Sequence, residues 1–224
     1  MGICKFCNKE FLRDSTLSSH VCEQKRRHNA RNEKHSVIAL NAFVKFYELS
    51  SPLSSGKKTF DDFVKSPYYN GFIKFGSFVN NIKPLYPEKY IDYLIKNSIH
   101  LDKWCKDSVY DKYVISLIYT ESVQTALERS VMTMQKWADE NGSEWNKYFD
   151  DVNLNVAYYH IKDGKISPWL LINAAGGMRL LSRFRDDQLN TINTVLDADK
   201  WVNIFNSKPD DVEFVNNIVE AANL

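Results

Sequence analysis

Cysteine is scarce in this chain, and where it falls matters more than how often. Four occur in 224 residues, three of them among the first 22, which leaves Cys105 alone. So small a set argues against a secreted disulfide framework and fits a reducing compartment. Long apolar runs are missing too. No stretch approaches the ~20 residues of a membrane span, and no N-terminal apolar run resembles a signal peptide. The expectation is therefore a cytoplasmic protein with no membrane partner. Phosphate-binding glycine loops are absent, because Gly176-Gly177 lacks both the G-x-G-x-x-G and the P-loop context. No internal repeat or low-complexity segment breaks the chain, and strand signals are few. What remains is a composition of 44% hydrophobic and 13% aromatic residues, enough for a packed core plus a small module.

The chemistry gathers at the N-terminus, in ICKFCNKEFLRDSTLSSHVC. Cys4 and Cys7 stand two residues apart; His20 follows after twelve more, and Cys22 after one further residue. Thiolates and imidazole in this grouping suit Zn²⁺ better than a disulfide. With Phe11 and Leu17 the spacing reads C-x2-C-x3-F-x5-L-x2-H, and up to His20 it resembles the Cys2His2 zinc-finger family. The resemblance implies a ββα unit in which a hairpin carries the cysteines, a short helix carries the histidine, and Phe11 and Leu17 form a miniature core. Beyond His20 the pattern departs, since the family expects a second histidine three to five residues on. Cys22 or His28 must serve instead. Positions i and i+2 diverge on a helix, so ligation by Cys22 requires the helix to end near His20, whereas ligation by His28 requires a long loop to fold back. Cys22 is favoured as the stronger ligand with the smaller detour, giving Cys4, Cys7, His20 and Cys22 as the metal set.

Charge is unevenly spread. Residues 1–35 hold eight Lys or Arg against four acids, and the remainder holds 21 against 24. A basic end of this kind is the natural nucleic-acid end. By resemblance the finger helix begins near Asp14 and presents Arg13, Thr16 and Ser19 to the major groove, with Arg13 able to pair a guanine. One finger addresses only about three base pairs. Further affinity would come from Lys25, Arg26, Arg27, Arg31 and Lys34, lying along phosphates as a helix or an extended arm.

From residue 36 onward the pattern is helical. SVIALNAFVKFYEL reads as a buried helix ending at a linker-like SSPLSSG. Thr59 is a cap for FDDFVKS; Pro67 and Pro87 start the next two helices. The run 101–119 holds a 3.6-residue period, and Thr120 is placed as the cap of a helix stopping near Gly142. Ser167-Pro168 opens WLLINAAG, Gly176-Gly177 marks a break or a close-packed kink, and two more helices cover DKWVNIF and DDVEFVNNIVEAA. The expected class is mainly α, a small ββα finger followed by an all-helical domain. Its divisions are residues 1–28 for the finger, 29–56 for basic segment, helix and linker, and 57–224 for the helical domain. FDDFVKSPYYNGFIKFGSFV and KISPWLL, behind such a finger, are similar to uncharacterised zinc-finger proteins of tailed bacteriophages related to T4. That similarity implies a host cytoplasm and a setting in phage DNA or transcription, and supplies no active site.

Features with a catalytic look have plainer explanations. Four Asp-Asp pairs, at 61–62, 150–151, 186–187 and 210–211, could bind Mg²⁺, but acids in a helix's first turn answer its dipole. His100 and Cys105 fall on divergent faces. His160 reads as a packed histidine, and Lys162, Lys165 and Trp169 as packing sooner than a partner surface. Two functions remain. One is a non-enzymatic nucleic-acid-binding adaptor, whose finger and arm hold DNA, or RNA, while the helical body engages a replication or transcription protein. The other is a protein–protein interaction module with purely structural zinc. A metal-dependent nuclease is a weaker third, and no small-molecule substrate is expected.

Overall fold

Serine, threonine and proline at helix starts account for much of the architecture. The computed structural model describes residues 1–50 and 56–224, so residues 51–55 of the expected linker lie outside the described residues. The described chain is helical apart from one hairpin, β1 (Gly2–Ile3) and β2 (Glu10–Phe11), paired antiparallel with Gly2 opposite Phe11. It divides into two compact units, Met1–Lys106 and Asp107–Leu224.

In the first unit the hairpin is followed by α1 (Asp14–Ser19), α2 (Glu23–Asn29), α3 (Lys34–Ser50), α4 (Phe60–Lys65), α5 (Tyr69–Ile82) and α6 (Pro87–Lys96). Helix α3 packs along α5, with α4 and α6 against it. A Cβ on Gly76 would stand 2.1 Å from the His35 carbonyl oxygen, so these helices approach at a distance only glycine permits. Phe43, Phe63, Phe72, Phe75, Tyr90 and Trp104 fill the space between them and are all buried. The Trp104 indole donates to the Ile99 carbonyl at 2.8 Å, and the Tyr90 hydroxyl to the Trp104 carbonyl at 3.1 Å, leaving neither polar tip unsatisfied. Thr59 and Asp62 form the capping box that starts α4. The second start differs from expectation: Pro67 precedes the cap, and α5 begins at Tyr69 behind Tyr68.

The division of the chain expected from composition draws its lines elsewhere. Residues 34–50 and 57–106 share one aromatic core across the Ser/Pro-rich stretch, and 57–224 contains the boundary at Lys106.

The second unit contains α7 (Asp107–Thr120), α8 (Val123–Asn141), α9 (Tyr148–Asp151), α10 (Leu154–Lys162), α11 (Pro168–Asn173), α12 (Ala175–Leu181), α13 (Asp186–Leu196), α14 (Ala198–Ser207) and α15 (Pro209–Ala222). Its centre is α11, whose Pro168, Trp169, Leu170 and Leu171 are all buried; a helix apolar all round must be. Ser167 caps it as expected. The double glycine lies inside α12, where a Cβ on Gly177 would meet the Leu171 carbonyl oxygen at 2.1 Å. Thr120 is not a cap. Helix α7 runs through it, and the Ser122 hydroxyl accepts from the Thr125 amide to start α8.

His160 on α10 is half-buried, its Nδ1 2.8 Å from the Tyr148 hydroxyl. Burial, with Lys165 and Lys136 nearby, pushes its pKa down to about 4. The imidazole therefore stays neutral in the folded protein while the unfolded chain takes up a proton below pH ~6.5. Stability is lost as pH falls from about 6.5 to about 4, by up to ~3 kcal/mol. Urea titrations at pH 7 and pH 4.5 should show His160→Gln losing markedly less stability on acidification than the parent. Equal acid sensitivity would refute the assignment.

Candidate metal centre and basic surface

The turn between the strands is built to bring two thiols together. The Asn8 amide donates to the Cys4 carbonyl at 2.8 Å and the Cys4 amide to the Lys9 carbonyl at 2.9 Å, with Asn8 at a positive φ of 59°. Helix α1 then ends at Ser19, and His20 is already extended, with ψ 122°. This early end lets His20 and Cys22 face the same point despite their i, i+2 spacing. Cys4, Cys7, His20 and Cys22 consequently form one cluster whose ligand atoms all lie within 4.8 Å of one another.

Two edges of that cluster measure 4.0 Å, Cys4 Sγ to Cys22 Sγ, and 3.3 Å, Cys7 Sγ to His20 Nε2. A tetrahedral ion with bonds of about 2.3 Å to sulfur and 2.0 Å to nitrogen would have S–S and S–N edges of about 3.8 and 3.5 Å. The four residues thus could hold a metal ion with little movement. Backbone amides of Phe6 and Cys7 hold the Cys4 thiol below its ordinary value. The Lys9 amide favours the Cys7 thiolate, yet burial and the Cys4 and Cys22 sulfurs leave that thiol above its ordinary value. Phe11 packs against His20 with ring centroids 4.6 Å apart, and Leu17 lies over Gly2, the residue opposite Phe11 in the hairpin.

His28 is turned elsewhere. Its ring sits 5.0 Å from Phe6 and 5.1 Å from Phe60 between centroids, with Nε2 3.7 Å from Asp61. It joins the N-terminal hairpin element to α4.

The residues expected on nucleic acid fall into two groups. Arg13, Thr16, Ser19, Arg26 and Lys34 are exposed, although the Ser19 hydroxyl is turned back to the Ser15 carbonyl at 3.0 Å. The others are engaged within the unit. Lys25 donates to the His20 carbonyl at 3.1 Å. Arg31, though exposed, lies 4.7 Å from the Phe60 ring centre. Arg27 is the most committed. It donates to the Val64 carbonyl at 2.6 Å, pairs with Glu23 and lies 4.2 Å over the Tyr69 ring, with its side chain 15% exposed. It caps the C-terminus of α4 and ties α2 down. The i, i+4 pair with Glu23 is the one local sign of this, because the partners that tie Arg27 to the rest of the unit, Val64 and Tyr69, lie 37 and 42 residues away.

The four aspartate pairs all occupy first turns, of α4, α9, α13 and α15. Asp150 and Asp187 bind Arg179 and Arg185 at 3.0 Å. Among the described residues, the Cys3His group is the one cluster of three or more potential ligands close enough to share an ion. No helix among them is long and apolar enough to cross a membrane.

The two units differ sharply in charge. The first carries 18 Lys and Arg against 10 Asp and Glu, a formal +8, and the second 11 against 18, a formal −7. A boundary at residue 35 hides most of this, since residues 36–106 add ten cations and six acids to the eight and four of the N-terminus. No family model, curated protein or solved structure matches the chain.

Proposed function

We propose that the chain is a non-enzymatic, zinc-dependent nucleic-acid-binding adaptor. Unit 1 contacts DNA or RNA, and unit 2 is left for a protein of replication or transcription. The observation that carries this reading is the segregation of +8 and −7 into separate compact units. A polyanion is drawn to the first and repelled by the second. Zinc suits the cluster because three thiolates and one imidazole form a closed, tetrahedral, soft donor set, the kind that holds structural metal with no open position for substrate. Three thiolates and a dication lower the charge of unit 1 by only one. The phage resemblance, where it applies, sets this in the host cytoplasm.

The exposed residues Arg13, Arg26 and Lys34 are the contacts this reading assigns to phosphate or base, whereas Arg27 acts through the fold. Fluorescence titration of the full chain against duplex and single-stranded DNA at several salt concentrations tests it. Each neutralised phosphate steepens the log–log salt dependence by about 0.9. Arg13→Ala with Arg26→Ala should therefore flatten the slope by up to about 1.8 and weaken binding to every sequence. An unchanged slope, or no binding at low salt, would remove the nucleic-acid reading. The second reading, an interaction module with a structural zinc, is favoured by the inward use of Arg27, His28 and Arg31, and would then stand.

A further inference from the structure

Unit 1 holds a second feature that the finger does not use. A cleft of about 560 Å³ opens between the C-terminal part of α3, the start of α5 and the segment after α6, walled by Phe46, Tyr47, Tyr68 and Phe72 and edged by Ser98 and His100. That volume lies in the range of small-molecule sites, and apolar walls with a few polar groups are their usual lining. Phe72 is the buried floor, 1% exposed, and Tyr68 is an open wall, 56% exposed. An aromatic side chain left so open beside a cleft lacks the packing that normally buries it. Burial, with the Tyr68 phenol close by, pushes the Tyr47 phenol above its ordinary value, so its hydroxyl serves as a neutral donor. Lys58 sits 5.2 Å from the Tyr47 ring centre. The cleft therefore combines aromatic walls and hydrogen-bonding edges, with Lys58 beside the Tyr47 ring, on a unit of formal charge +8.

We propose that this cleft takes one unstacked base of a single-stranded nucleic acid, stacked against Tyr47 and Tyr68, with its edge at Ser98 and His100 and its phosphate drawn by Lys58. The assignment rests on the nucleic-acid reading of unit 1 and adds a preference for single strands, because a base within a duplex has no free face to offer. Aromatic platforms on a basic surface bind single strands with little sequence preference.

The test uses the full, zinc-loaded chain with three probes: a short oligothymidylate, an abasic strand of equal length and charge, and a duplex of equal length. Tyr68→Ala should weaken oligothymidylate binding by about 5- to 150-fold, leave the abasic strand and the duplex unchanged, and be rescued by Tyr68→Phe. Tyr68→Leu, which keeps bulk and removes the ring, carries the same expectation if the alanine variant folds poorly. Equal losses on the oligothymidylate and abasic strands would overturn the stacking assignment. So would unchanged oligothymidylate binding by both the Ala and Leu variants; the cleft would then fit an aromatic side chain of a protein better, and the finger reading would survive. Failure of all three probes to bind the parent would overturn both.

Discussion

Cys7→Ala should strip the protein of its metal and release the whole N-terminal element as far as Asn29. Purified parent protein should contain one equivalent of zinc, and the variant almost none by elemental analysis. Structural zinc in small fingers contributes apparent free energies of about 10–16 kcal/mol near neutral pH, far more than a six-residue helix and two two-residue strands gain by themselves. Amide hydrogen exchange should show protection lost over residues 1–29 and kept across unit 2. His28→Ala should retain the metal, because its ring packs between Phe6 and Phe60. If Cys22→Ala keeps full zinc while His28→Ala loses it, the fourth ligand has been misassigned.

Breaking one ion pair in unit 2 should have the next largest effect. Arg129 and Glu121 are buried, with side chains 5% and 3% exposed. Two guanidinium nitrogens face the two carboxylate oxygens, one at 2.6 Å, and Nε donates to the Gly164 carbonyl at 2.7 Å. The pair thus fixes the turn between α10 and α11 against α8. Removing a single partner leaves an uncompensated buried charge, which costs about 3–5 kcal/mol. Glu121→Ala should lower the free energy of unfolding by that amount, read as a lower urea midpoint at unchanged m-value. Replacing both, as Glu121→Leu with Arg129→Met, should recover much of the loss, because well-packed apolar groups can substitute for such pairs. A double variant no better than Glu121→Ala would mean that the hydrogen bond to Gly164, and not the buried charge, dominates.

Local signals reached different depths in the two units. The cluster was legible because ligand chemistry, the Phe11 and Leu17 spacers and the shortened helix all constrain neighbouring residues. The Thr59 and Ser167 caps were legible for the same reason. Thr120 misled because Ser122, two residues later, is an equally good cap, and only the packing of α7 decides which is used. Helix α13 was overlooked although Leu189, Ile192, Val195 and Leu196 repeat at helical spacing, since the asparagines and threonines between them dilute the apolar face. The unit boundary at Lys106 has no proline, glycine or serine cluster to mark it. Such clusters report loops, whereas units are set by contacts between distant residues, here Phe43 with Phe72 and Phe72 with Trp104. The role of Arg27 was hidden in the same way.

Cys22 belongs to the metal cluster and also begins α2, its Sγ accepting from the Lys25 amide at 3.4 Å. The same helix carries Arg27 to the end of α4. Metal uptake by the cluster would therefore be coupled to the docking of α2. Any ligand that binds only the folded form stabilises it by RT ln(1 + [L]/Kd), about 1.4 kcal/mol for each tenfold rise in free ligand above Kd. The docked population of residues 1–29 should accordingly follow the free zinc level of its surroundings. A cell that buffers zinc tightly would set the working concentration of this basic surface without altering how much of the chain it makes.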